Sequence, residues 1–273
     1  MGGDERGLGR GRSGPCRRRP AALRSGKGMT GRLLLGAGAL ALLAFLAAPE
    51  AFAPLLRLLT RNGAPAIYTQ TSLLSLTLSH LVLVAAAVLA SGALAIALAV
   101  LVTRPAGREF LPLARTLTAA GQTFPPVAVL ALAVPSLGFG ARPTLVALFL
   151  YGLLPVFENT LAGLSSLPPA VVEAARGAGM TARQRLWQVD LPLALPQIIA
   201  GLRLTAVISL ATATIGSTVA ARTLGEVIIA GLVSSNTAFV VQGGLVVAML
   251  ALLIDGAFHW LEARIAKRSG TAG

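Results

Sequence analysis

Cysteine and histidine are nearly missing from this 273-residue chain: Cys16 stands alone, and His80 and His259 lie on segments far apart. A disulfide framework is therefore excluded, and no cysteine cluster or histidine pair is spaced for a metal. The phosphate-cradling pattern GxxxxGK followed by Ser or Thr is absent too. Its nearest fragment, Ser25-Gly26-Lys27-Gly28, lacks the upstream glycine and the hydroxyl after lysine. Neither a nucleophile elbow nor an HExxH helix occurs, so the chain carries no catalytic apparatus of its own. Charged residues make up 12% and aromatic residues 5%, while 55% are hydrophobic, a balance too apolar for a soluble domain of this length.

The net charge of +13 raises the question of nucleic-acid binding. The basic residues, however, sit in short segments between apolar runs, with few aromatics among them. That pattern orients a protein in a bilayer and implies lipid, not nucleic acid, as its surroundings.

A helical span needs about 20 apolar residues to cross a hydrocarbon core of roughly 30 Å. Six stretches qualify or nearly do: Leu33 to Ala48, Leu73 to Val102, Leu113 to Leu137, Pro143 to Leu164, Pro196 to Val219 and Val240 to Leu261. The expected fold is all-α, a polytopic membrane protein of about six transmembrane helices. Residues 1–28, rich in Arg and Gly, read as a solvated, disordered tail. Met29, just ahead of the first apolar run, is an alternative start of translation. Residues 29–70 would form a first helix and an outer loop, 71–265 the transmembrane domain with a polar loop at 168–192, and 266–273 a tail. Besides the basic tail, Arg104, Arg108, Arg115, Arg176, Arg183, Arg185, Arg203, Arg264, Lys267 and Arg268 fall on one side of these spans. Arg57, Arg61, Arg142 and Arg222 fall on the other. The excess places both termini and the 168–192 loop in the cytoplasm.

Polar residues inside the spans are candidates for a solute path. Thr71, Ser75 and Ser79 recur at four-residue spacing beside His80, which itself reads as a packing or hydrogen-bonding residue. In Gln122-Thr123-Phe124-Pro125-Pro126 the prolines break the helix, and such a break is tolerated only against protein or a water-filled cavity. Thr205, Ser209, Thr212 and Gly216 share one helix face and suit either a hydroxyl-lined path or a close helix contact. Glu158 calls for a partner such as Arg115 or Arg203, and Arg203 could pair with Glu173 or Glu158. Asp255 calls for a cytoplasmic-side arginine, and Trp260 reads as an interface anchor.

The loop between the fourth and fifth spans reads EAARGAGMTARQRLWQVDLP from Glu173 to Pro192. Its composition predicts a short helix ending at Gly177 or Gly179, then a second piece from Ala182 to Val189 closed by Pro192. The order Glu173-Ala174-Ala175, then Gly179, then Val189 and Leu191-Pro192 resembles the EAA loop of permease subunits in ATP-binding-cassette importers, of the type I permease fold. The surrounding AARGAGMT, LPLALPQIIAGLR and TIGSTVAARTLGEVI are similar to the permeases for glycine betaine, choline and related osmoprotectants. The resemblance runs from Ser72 to the C-terminus and includes a Gln-Thr-apolar-Pro element at Gln122 to Pro125. The segment Ala221 to Gly225 holds fewer glycines than that family usually carries there.

This resemblance implies that Glu173, Ala174, Ala175, Gly179, Met180, Leu191 and Pro192 dock a separate ATPase subunit, which binds ATP and magnesium. It also implies a second permease copy or paralogue, a bacterial inner membrane and an extracytoplasmic binding protein. With two Trp and two Tyr in the chain, an aromatic cage for a quaternary ammonium cation is expected in that binding protein. Ser75, Ser79, Gln122, Pro125, Thr205, Ser209 and Thr212 remain the path candidates. The loop does not encode the cargo, so methionine, a phosphonate or an aliphatic sulfonate are alternatives. A non-transporting membrane scaffold whose basic knob recruits a soluble partner is the alternative of another class.

Overall fold

The computed structural model describes residues 26–61 and 63–268 and contains no β-strand among them. Most of the expected N-terminal tail, and 269–273, lie outside the described residues. Helix reaches into both expected tails: α1 (Gly26–Ala47) begins before Met29, and the last helix continues to Arg268.

Four segments cross as unbroken helix: Leu73–Thr103, Ala141–Ser165, Ala182–Val219 and Thr237–Ile265. The first is α3, whose 31 residues span about 46 Å at 1.5 Å each, longer than the hydrocarbon core. The others are α6 (Ala141–Ser165), α9 (Leu191–Ala213) with its flanking turns, and α11 (Thr237–Arg268). The remaining two expected spans are bent. After α1 the chain turns by 106° at Pro49 into a short arm ending in α2 (Ala53–Arg57). The Leu113 to Leu137 stretch is not one straight span: α4 (Leu111–Thr123) and α5 (Pro126–Leu137) meet at 92°.

The cause of that second bend is local. Phe124 and Pro125 each precede a proline and are driven into extended backbone, at ψ 139° and 142°, and Pro126 then opens α5 where no N–H is needed. Side-chain hydrogen bonds with α6 hold the break in place. The Tyr151 hydroxyl donates to the Phe124 carbonyl, and Gln122 Nε2 donates to the Tyr151 carbonyl at 2.9 Å.

The core lies where α3, α6 and α9 pack on one another, with α11 against α9 and α1 outside it. Leu76, Leu148, Leu210, Leu224, Val227 and Val246 are all fully buried there. The helices approach closely because small residues face each other: a Cβ on Gly152 would meet Thr205 Cγ2 at 2.9 Å, and one on Gly201 would meet Asn159 Cβ at the same distance. Leu78, Val82 and Leu89 on α3, Leu132 on α5 and Leu252 on α11 point outward, as lipid or a second subunit requires. α10 (Gly225–Val233) packs between α11 and the 3₁₀ turn Thr214–Val219 that ends α9.

Candidate functional site

Two polar regions stand at opposite ends of this bundle. The first is the hairpin between α6 and α9. Pro168 and Pro169 start α7 (Pro169–Gly177), an amphipathic helix with Ala175 buried and Glu173, Ala174 and Arg176 exposed. Gly179, at φ +75°, ends it: its N–H donates to the Arg176 carbonyl at 3.0 Å, and the Met180 N–H reaches the Ala175 carbonyl at 3.2 Å. This is a Schellman closure, which requires the left-handed conformation that glycine adopts without penalty. Thr181 opens the next helix, α8 (Ala182–Arg185), with a capping box. The Gln184 N–H donates to Thr181 Oγ1 at 3.3 Å, and the Thr181 N–H donates to Gln184 Oε1 at 2.9 Å. The first turn is thus held by backbone pairs and the second by reciprocal side-chain caps, and the hairpin is stiff.

Pro192 does not close the second arm. A wide π turn, Leu186–Asp190, carries α8 straight into α9, where Leu191 and Pro192 occupy the first turn. Proline lacks the N–H that would bond the preceding turn, and the wide π turn just before it accommodates that loss without breaking the rod; π turns recur at functional positions. The hairpin's second arm and α9 therefore form one continuous rod, Ala182–Val219.

Further differences concern charge. Glu173 is exposed and forms no ion pair among the described residues, so it neither caps nor bridges within the hairpin. Arg203 pairs with neither Glu173 nor Glu158. It joins α9 to α11 through Asp255 at 3.3 Å and Glu262 at 3.0 Å, because the rod brings it against α11 rather than α7. Glu158 pairs with Arg115 at 3.1 Å. Trp260 is half-exposed, with the Arg264 guanidinium stacked 3.8 Å from its ring centroid.

The second region is the far end, where the Ala64–Thr71 connection is pinned to α10 and α11. The Asn236 side chain donates to the Pro65 carbonyl at 2.8 Å, and the Tyr68 N–H donates to Gln242 Oε1 at 3.0 Å. The hydroxyls of Tyr68 and Thr71 both donate to Glu226 Oε1. Burial, together with the hydrogen bond and charge of Glu226, pushes the Tyr68 phenol above its usual 10.0. His80, fully buried, lies within 3.1 Å of the Leu210 carbonyl through Nε2 and accepts the Leu224 N–H at 3.3 Å through Nδ1, a packing role.

The structure does not gather the path candidates into one place. Arg222 Nη2 donates to Ser75 Oγ at 3.4 Å, and Ser79 borders a cavity of about 600 Å³ lined also by Val82, Ala86, Ala141, Leu145 and Arg222. Gln122 and Pro125 stand at the α4–α5 break. Thr205 and Ser209 are buried among α6 and α9, with Thr205 Oγ1 donating to the Gly152 carbonyl at 3.4 Å, and Thr212 is half-buried. The residues not foreseen are Asp190 and its arginines, the exposed Trp187 and the Tyr68–Glu226 pair. A Thr-x-x-Gln capping signal was readable at Thr181, and a carboxylate one residue before a span implies a cationic partner.

Residues 93–267, which hold the hairpin and the helices around it, match the family described as the binding-protein-dependent transport system inner membrane component. The chain belongs to this family. It is the permease subunit of an ATP-binding-cassette importer, a multi-pass membrane protein, and this sets aside the scaffold alternative. Among its relatives is the osmoprotectant import permease OsmY of Salmonella typhimurium strain LT2, 38% identical over 196 residues, covering 72% of this chain and 83% of that protein. The glycine betaine/carnitine/choline permease OpuCD of Bacillus subtilis strain 168 is 41% identical over 142 residues, 52% of this chain and 62% of that one. An inward-facing structure of the MetNI methionine transporter shares the fold at TM-score 0.63 and 20% identity, over 71% of this chain and 95% of that one.

Proposed function

We propose that this permease imports quaternary ammonium osmoprotectants, such as glycine betaine, choline and proline betaine, by coupling hydrolysis on a separate ATPase to alternating access. The observation that carries the coupling is the stiff hairpin continuous with α9. A groove on the ATPase that moves the exposed face of Glu173, Ala174, Gly179 and their neighbours would move α9 with it, since no flexible joint intervenes. Ala175 is buried beneath that face, and Met180, Leu191 and the exposed Pro192 are assigned to the same docking surface. ATP and magnesium belong to the ATPase subunit. The cargo rests on the osmoprotectants, glycine betaine and choline among them, for which the relatives are permeases, and the scarcity of aromatics supports tight capture by an extracytoplasmic binding protein. A second permease copy or paralogue completes the membrane unit in the inner membrane.

Orientation rests on the basic residues of the hairpin end, with both termini cytoplasmic. The cavity bordered by Ser79 and Arg222 then lies at the outer side. Ser75, Gln122, Pro125, Thr205, Ser209 and Thr212 are assigned to the path that opens when the helices rearrange.

Uptake of labelled glycine betaine and choline tests this reading, in cells lacking their own osmoprotectant importers and supplied with this chain, its ATPase and its binding protein. ATP-dependent accumulation of quaternary amines is expected. Accumulation of methionine, a phosphonate or a sulfonate instead would keep the permease and overturn the cargo.

A further inference from the structure

Asp190 is 2% exposed although it is a carboxylate, and it stands where the π turn passes into α9. Arg104 Nη1 donates to its Oδ2 at 2.8 Å, and Arg185 Nε lies 3.5 Å from its Oδ1. Desolvating a carboxylate is costly unless opposite charge is fixed beside it, and here two guanidiniums are. Three elements converge on this one side chain. Arg104 caps the end of α3, 86 residues away in sequence, Arg185 ends α8, and Asp190 itself begins α9. Arg104 is held in place by its own turn, its N–H donating to the Leu101 carbonyl at 3.1 Å while its carbonyl accepts the Gly107 N–H at 3.0 Å.

The hairpin is covalently continuous with α9, but it has no such connection with α3. We infer that Asp190 is a positioning residue that ties the hairpin to the loop end of α3, so that displacement of the hairpin drives α3 and α9 together. It does so from behind the exposed docking face, without touching ATPase or solute. This inference rests on the proposal that the hairpin docks an ATPase. The ion pair acts as a fixed joint through the cycle, and its loss lets α9 follow the ATPase while α3 lags.

The test uses the complete importer in proteoliposomes and reads ATP hydrolysed per solute imported. Asp190→Asn keeps the shape and removes the charge, Arg104→Gln removes the charge of the other partner, and Arg104→Lys keeps it. Both charge-removing variants are expected to co-purify with the ATPase and to raise ATP consumed per solute by about tenfold, within the range of coupling between linked sites. Hydrolysis should also become insensitive to solute. Arg104→Lys is expected to retain most of the coupling that Arg104→Gln loses, which a role in packing alone would not produce.

An unchanged ratio in both charge-removing variants overturns the inference. So does loss of the ATPase from them, which would make Asp190 a folding determinant of the docking face. An Arg104→Lys variant no better coupled than Arg104→Gln overturns it as well. A photo-crosslinking residue at exposed Ala178, in the otherwise unsubstituted chain, separates the two claims. Failure to capture the ATPase there removes the docking reading itself, whatever the Asp190 variants do.

Discussion

The Tyr68 hydroxyl donates to Glu226 Oε1 at 2.8 Å, joining the connection that leads into α3 to the first turn of α10. Thr71 donates to the same oxygen at 2.7 Å, so a single carboxylate holds two points of that connection beside the start of α3. Glu226 also sits favourably at the N-terminal end of the α10 dipole. The far end of the permease is thereby fastened by side chains, whereas the end of α7 in the hairpin is closed by backbone hydrogen bonds.

This fastening depends on pH. The Tyr68 phenol is raised above 10.0 by burial and by Glu226, so the folded state holds its proton more tightly than the unfolded chain does. Its contribution is complete below pH 10 and is lost as pH rises through the folded value. The melting temperature in detergent is expected to fall as the pH is raised above 10, and Tyr68→Phe is expected to flatten that fall. An identical alkaline slope in both proteins would contradict the assignment.

Gly179→Asp tests the hairpin. At φ +75° a side chain costs about 1 kcal/mol of backbone strain, and this one adds an anion to an exposed turn. The variant is expected to fold, lose ATPase association and lose ATP-driven uptake. Normal uptake would refute the docking role of the turn.

Trp187, 64% exposed on the π turn, contributes little to the subunit's own core. Trp187→Ala is therefore expected to leave melting unchanged while weakening ATPase binding by about 2 kcal/mol, roughly thirtyfold in Kd, as loss of an aromatic anchor does. Titration of the purified ATPase onto the reconstituted permease measures it. Unaltered affinity would assign Trp187 to the lipid interface instead.

Arg203 clamps α9 to α11 through two carboxylates. Arg203→Gln is expected to destabilise the subunit by about 1 kcal/mol, lowering the melting temperature by a few degrees, because it removes the guanidinium that both Asp255 and Glu262 share. The double variant Arg203→Gln/Glu262→Gln should recover part of the loss.

Much of this was legible in the chain because it is set by local chemistry. Pro125 and Pro126 announced the break between α4 and α5, Gly179 announced the end of α7, and the apolar runs announced the spans. What escaped depends on partners distant in sequence. Arg104 and Asp190 are 86 residues apart, and only the packing of α3 beside α9 makes them a pair. Pro192 was misleading for a different reason. A proline near the end of a polar segment reads as a stop, but here it sits in the first turn of α9, where it ends nothing. The face of Thr205 and Ser209 had the right spacing for a path, yet spacing alone does not say whether a face meets water or another helix. In this conformation it meets α6.

The central claim is tested most directly by solute-stimulated ATP hydrolysis of the reconstituted importer with its binding protein, compared across glycine betaine, choline, proline betaine, methionine and a phosphonate. Stimulation by the quaternary amines and not by the others is predicted. Stimulation by methionine or the phosphonate alone would contradict the osmoprotectant assignment, and the absence of a stable ATPase complex would contradict the coupling account.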